Sequence, residues 1–191
     1  MKYSEEESIR FEKKIFRHTS NDYKASELKK SIIDNDVDVL ILRLPSSTID
    51  NHFKLKNTGF PFLHVDTLVY YQTSLRRIDI NDTRNNIELE KITDIKRNEL
   101  KKLIPIIFDG YKNHYYSNPI FEPQKIKEGY IEWAESYIGS DNKISWLIKV
   151  DEQVAGFATC TYDEDKKECE GVLYGVLPEF SGRGIYSDII R

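Results

Sequence analysis

Near the C-terminus, a strand-like run ends at Val176 and Pro178 and leads into Ser181-Gly182-Arg183-Gly184-Ile185-Tyr186. Of all the segments in the chain, this one has the residue types and spacing that most directly point to chemistry. Glycines let a backbone approach a ligand closely, and the first N–H groups of a helix have no partner inside it, so a glycine turn opening into a helix holds phosphate. No Gly-Lys-Ser/Thr follows, which excludes a P-loop, and Ser187 stands where the GxGxxG fingerprint needs its third glycine. The expectation is phosphate held by main chain, without magnesium. A plain strand-to-helix connection would contain the same residues, so the reading depends on what precedes the turn.

Other groups that could do chemistry are less informative. Cys160 and Cys169 flank a predicted turn without a CxxC pair and read as two reduced structural thiols. The histidines at 18, 52, 64 and 114 never fall at metal-ligand spacing, so no metal is expected. Glu168 and Glu170 fall at the start of a strand, ~15–20 Å from its far end at ~3.3 Å per residue, and read as turn charges.

The elements that must position the turn are legible from periodicity. Ser20 to Ile33 reads as a polar helix, Val37 to Leu44 as a buried strand, Ser46 to Lys56 as a short helix closed by Asn57-Thr58-Gly59, and Phe62 to Leu75 as another strand. The Asn- and Asp-rich Arg76 to Asn86 reads as a linker. This predicts an N-terminal α/β half-domain over residues 1–80 and a second domain over 86–191. In the second, a short strand from Ile87 precedes a helix with Leu100, Leu103, Ile104, Ile107 and Tyr111 on one face, interrupted by Pro105. A further helix beginning near Pro123 would bury Ile126, Tyr130, Trp133, Ala134 and Tyr137. From Ile144 the period changes to two, predicting a three-strand antiparallel meander before the glycine turn.

A strand, two helices, three antiparallel strands and then VLPEFSGRGIYSDII resemble the GCN5-related N-acetyltransferase (GNAT) family from about Ile87 to Arg191. The family writes this segment V-x-P-x-x-Q/R-x-x-G-x-G/A; here Ser181 replaces the Gln or Arg and Tyr186 the small residue. The resemblance implies an α/β fold with a mixed, mostly antiparallel sheet flanked by helices, and acetyl-CoA as acyl donor. It further implies that main-chain groups of Tyr174 and Val176 pair with the pantetheine arm. Backbone N–H groups of Gly182, Arg183, Gly184, Ile185, Tyr186 and Ser187 would receive the pyrophosphate, with Arg183 adding charge and Ser181 beside it. Attack by a neutral amine needs no nucleophilic cysteine. The tyrosine that protonates the departing thiolate in this family would lie beyond Arg191, so the chain is expected to stop before such a domain is complete.

The loop KNHYYSNPIF and the following EPQKIKEGYIEW resemble the dTDP-fucosamine type of nucleotide-amino-sugar acetyltransferase. On that resemblance His114, Tyr115 and Asn118 are candidate contacts to sugar or nucleotide, and His114 a weak candidate for the catalytic base; an ordinary surface-loop histidine is the alternative. The first ~80 residues echo the family's closing pattern, with Leu55 where its tyrosine would stand. They read either as a degenerate helper half-domain or as the missing part of one permuted sheet, in which Val37–Leu44 would pair with Gly171–Val176.

Across the 191 residues, 39% hydrophobic and 31% charged content describes a globular protein, and a net charge of −4 with interleaved signs leaves no basic stripe for nucleic acid. No apolar run reaches the ~18–20 residues of a bilayer span and MKYSEEESIR is no signal peptide, so a cytoplasmic protein is expected, not one at a membrane. The expected function is acetyl transfer to a primary amine, on a nucleotide-linked amino sugar. A non-catalytic CoA-binding or interaction module is the alternative, and self-association through an open sheet edge is expected in either case.

Overall fold

The computed structural model describes residues 1–19, 23–48, 53–77 and 83–190. The chain divides into two compact units, one of Met1–Val69 with Lys112–Lys125, the other of Tyr70–Tyr111 with Ile126–Arg191.

In the first unit, β1 (Lys2–Tyr3), α1 (Glu5–Phe11), β2 (Ile15–His18), α2 (Ala25–Asp34) and β3 (Val39–Leu42) follow one another. Strand β1 runs antiparallel to β2, and β2 is parallel to β3 with Ile15 opposite Val39, as a crossover through a helix requires. Helix α1 opens with Glu5, Glu6 and Glu7, acidic groups that suit the positive end of a helix. Its Phe11 is buried, as are Ile15 and Leu28, and the Phe121 ring lies 4.5 Å from the Phe11 ring. The charge of Glu7, itself buried, is met by Arg17 Nη2 at 2.6 Å and Nε at 2.5 Å, by the Ser4 hydroxyl at 2.5 Å, and by the Tyr115 hydroxyl. Arg17 Nη2 also donates to Tyr115 Oη at 2.9 Å.

Several expectations for this half are corrected. The predicted helix from Ser20 is α2, starting at Ala25; Ser20 lies outside the described residues. Residues 2–18, to which the sequence reading gave no element, hold β1, α1 and β2. Val37 to Leu44 contracts to four half-buried residues. The short helix from Ser46 is a pair of 3-10 turns, Ser46–Thr48 and Phe53–Thr58, with residues 49–52 outside the described set; Gly59 ends it at φ 83°. Leu55 is buried.

Phe62 to Leu75 is not a strand: residues 61–74 have no regular structure, and Leu63, Val65, Leu68, Val69, Tyr70 and Tyr71 are exposed. A β-rich run becomes a strand only where a neighbouring strand takes its backbone groups, and among the described residues none pairs with it.

In the second unit, β4 (Ile87–Lys91), α3 (Arg97–Ile107), α4 (Pro123–Glu135, mostly in this unit), β5 (Lys143–Val150), β6 (Gln153–Asp163), β7 (Glu168–Val176) and α5 (Ile185–Ile190) follow in order. The sheet is wholly antiparallel in the order β4-β5-β6-β7. Its tight β5–β6 turn uses Asp151 and Glu152 at φ 50° and 65°, the left-handed pair a two-residue hairpin needs. Leu147, Ile148 and Phe157 from the sheet are fully buried with Leu100 and Ile104 of α3 and Ala134 beyond them. This is the mixed α/β arrangement, with an antiparallel sheet flanked by helices, that the resemblance implied.

Differences are local. Tyr111 lies past the end of α3 and is exposed, and Trp133 is 44% exposed instead of buried, because Ala134 and Ile138 take the inward positions. Tyr130 is half-buried and stacks on Phe108 at 4.6 Å. The permuted-sheet reading is overturned: β3 pairs with β2, β7 pairs with β6, and they belong to separate sheets. Among the described residues no helix is long and apolar enough to cross a membrane.

Candidate functional site: the glycine turn and the free edge of β7

The site-forming segment alternates anchors and free groups. Leu177, Phe180 and Ile185 are buried in the core, while Ser181, Gly182 and Arg183 between them are exposed. Pro178 starts a one-turn 3-10 helix, after which Gly182 at φ 77° and Gly184 at φ 83° take the left-handed conformation that favours glycine. A Cβ at Gly182 would meet open space, so the turn presents bare backbone outward. The Gly184 carbonyl accepts from Ser187 N at 3.0 Å and Asp188 N at 3.2 Å. Among the described residues, no backbone carbonyl outside helix α5 takes the N–H groups of Gly182, Arg183, Gly184, Ile185 and Tyr186. Arg183 Nη2 is tied to Glu179 O at 2.8 Å and its guanidinium lies over the Phe180 ring.

Strand β7 supplies the second half of the arrangement. Leu177 N donates to Ala155 O at 2.8 Å, and the register continues with Gly175 opposite Phe157 and Leu173 opposite Thr159. Antiparallel pairing alternates bonded and non-bonded positions, so the odd-numbered residues face β6 and the backbone groups of Tyr174 and Val176 point away from it. Among the described residues no other strand pairs with that side of β7. The main-chain groups expected to receive pantetheine are therefore free and aimed outward, and the turn continues from the same strand. These residues fit the donor.

Ile107, Phe108, Tyr111, Tyr174, Gly175, Val176 and Tyr186 line a cleft of about 440 Å³ beside this edge. Tyr186, where the family has a small residue, packs edge-on against Tyr174 at 6.0 Å. Burial, with Cys160 and Tyr186 nearby, pushes the Tyr174 phenol up to about 12, so it stays neutral at pH 7. A Cβ on Gly175 would sit 2.1 Å from Ile107 Cγ2. Gly175→Val is therefore expected to force α3 away from β7 at a cost of about 1–3 kcal/mol and to narrow the cleft. Thermal denaturation with CoA titration checks this; an unchanged melting temperature would show that Ile107 yields freely.

Cys160 is half-buried, and burial together with its hydrogen-bonded neighbour Cys169 pushes its thiol up to about 12. It is protonated at neutral pH and unsuited to attack a thioester. Glu168 and Glu170 are exposed at the far end of β7.

His114, Tyr115 and Asn118 belong to the first unit. Asn113 Oδ1 caps their 3-10 turn by accepting from Tyr115 N at 2.9 Å, and Asn118 Oδ1 accepts from Ile120 N at 3.2 Å. The Tyr115 hydroxyl is engaged by Glu7 and Arg17. His114 Nδ1 lies 3.2 Å from Asp66 Oδ2. Burial lowers the His114 pKa, with Asp66 pulling the other way, so the neutral ring that can accept a proton prevails at pH 7.

The acetyltransferase (GNAT) family model matches residues 110–191. That segment includes the glycine turn and strands β5, β6 and β7. No curated protein matches the chain. Among solved structures, the AAC(6')-Iy aminoglycoside N-acetyltransferase bound to a CoA bisubstrate analogue is 15% identical at a TM-score of 0.37, covering 55% of this chain and 67% of that one. The PaiA N-acetyltransferase of Thermoplasma acidophilum with coenzyme A is 17% identical at a TM-score of 0.34, with the same coverage of 55% and 67%. Likenesses of that degree add nothing to the reading of the site.

Sequence reasoning missed Arg84, Asn85 and Asp188, which bind the turn to the start of β4. Asp188, buried in α5, accepts from Arg84 N at 3.2 Å, Asn85 N at 3.0 Å and Asn85 Nδ2 at 2.7 Å. Asn85 Nδ2 also donates to Arg183 O at 3.1 Å. The only signal was an acidic residue in a first helical turn, and the polar stretch around Arg84 reads as a connection.

Proposed function

We propose that the protein is a cytoplasmic N-acetyltransferase that moves the acetyl group of acetyl-CoA to a primary amine, and that the amine belongs to a nucleotide-linked amino sugar. The observation that carries the donor half is the free edge of β7, where Tyr174 and Val176 direct main-chain groups outward beside the glycine turn. In this reading Tyr174 and Val176 hold the pantetheine arm as an added strand and the N–H groups of Gly182 to Tyr186 take the pyrophosphate; the Ser187 N–H, expected to join them, is instead taken by the Gly184 carbonyl at 3.0 Å. The amine nitrogen attacks the thioester carbonyl, the C–S bond breaks, and the departing thiolate takes a proton as the amide forms. A main-chain N–H of β7 steadies the oxyanion. A general base must also take the amine proton. The amino-sugar acceptor rests on the loop around His114, Tyr115 and Asn118. Self-association through the β7 edge would compete with the donor for the same groups.

Calorimetric titration tests the donor reading. Acetyl-CoA and desulfo-CoA are both expected to bind, because the edge and the turn need no sulfur; binding of neither would overturn it. Turnover with nucleotide amino sugars, followed by release of free thiol, tests the acceptor. Donor binding without turnover on any amine would leave a CoA-binding module.

A further inference from the structure

Arg84 lies against the glycine turn. A Cβ built on Gly184 would come 3.2 Å from Arg84 Cδ, 3.6 Å from Nη1 and 3.9 Å from Nε, so the guanidinium runs alongside the bare backbone of the turn. The side chain is exposed, and among the described residues no carboxylate pairs with it. Its backbone, by contrast, is pinned. Arg84 N and Asn85 N both donate to the Asp188 carboxylate, and the Asn85 amide bridges Asp188 and Arg183 O. Those donors satisfy the buried Asp188 oxygens and spread its charge, so a carboxylate is tolerated one turn from the N–H groups that face the ligand. An arginine whose main chain is fixed and whose guanidinium is free suits the bidentate recognition of phosphate.

We propose that Arg84 contacts the phosphates of the donor, and that Asn85 and Asp188 are positioning residues that hold it beside Gly184. This rests on the acetyl-CoA reading above. It also accounts for Ser181: where the family's pattern carries Gln or Arg next to the pyrophosphate, this chain has an uncharged hydroxyl, and the missing polar contact comes from a residue almost a hundred positions earlier.

The test is titration of the full chain with CoA at low and high salt, for wild type, Arg84→Gln, Arg84→Lys and Asp188→Asn. Losing one charge-assisted contact is expected to weaken CoA binding by about 10-fold at low salt in Arg84→Gln. A lost ion contact also flattens the salt dependence, which a merely structural change would not do. Arg84→Lys should retain salt-dependent affinity between the two, and Asp188→Asn, checked for folding by circular dichroism, should weaken binding less than Arg84→Gln. Wild-type affinity in Arg84→Gln, or a loss that is equal at both salt concentrations, would overturn the proposal while leaving the donor reading in place. Failure of wild type to bind CoA would overturn both.

Discussion

Val176→Pro is expected to leave the sheet folded and to weaken CoA binding by about 10–100-fold, the effect of about 1.5–3 kcal/mol. Proline removes one backbone N–H, and in a sheet it is tolerated only at an edge where that N–H faces away from the neighbouring strand. The Leu177 to Ala155 bond sets the parity of β7, so Val176 is such a position. The lost N–H is one of those offered to the pantetheine arm, and a pantetheine carbonyl placed there would be left without its donor. Circular dichroism and thermal denaturation report whether the sheet survives, and calorimetry with CoA reads the affinity. The same substitution at Gly175, whose position faces β6, would break the ladder and serves as the contrast. Near-normal CoA affinity in folded Val176→Pro would show that the donor does not use this edge.

Glu7→Ala is expected to destabilise the first unit by about 3 kcal/mol, at the lower end for a broken buried ion pair because Arg17 is partly exposed. The substitution strands the Arg17 guanidinium and removes the acceptor of the Tyr115 hydroxyl. Burial by itself would raise the Glu7 pKa; hydrogen bonds from Arg17, Ser4 and Tyr115 outweigh it and hold the carboxyl below its usual range. A depressed carboxylate stabilises the fold at pH values above its unfolded pKa, and that contribution is lost as pH falls through the folded pKa. Wild type should therefore lose stability on acidification from about pH 5 downward, and Glu7→Ala should lose less over the same window. Urea denaturation at a series of pH values measures both. Parallel pH profiles for the two proteins would show that Glu7 is not the group responsible.

The second unit was largely legible because its elements carry strong periodic signals. Leu100, Leu103 and Ile104 on helical spacing, and the apolar strand runs that hold Leu147, Ile148 and Phe157, form its core. Phe62 to Leu75 misled for the opposite reason. Its residue types favour strands, but strand formation depends on a partner, and a single segment says nothing about whether one exists. Strands β1 and β2, of two and four residues, are too short for any periodicity to show, and α1 hides its single large anchor, Phe11, behind an acidic first turn.

What the sequence determined by itself is the chemistry available at the turn. Gly182 and Gly184 permit positive φ, Leu177, Phe180 and Ile185 anchor its ends, and the two-residue period of the preceding strand leads into it. These are local properties, set by residue type and spacing within about fifteen positions. Only the tertiary structure decided which β7 backbone groups are free, because parity depends on a bond to Ala155 in another strand. It also decided that Arg84 flanks Gly184, that Asp188 holds Arg84 there, and that the Tyr115 hydroxyl meets Glu7 and Arg17. Those arrangements join residues roughly a hundred positions apart, and nothing in the spacing of a single chain encodes such a meeting until packing brings the segments together.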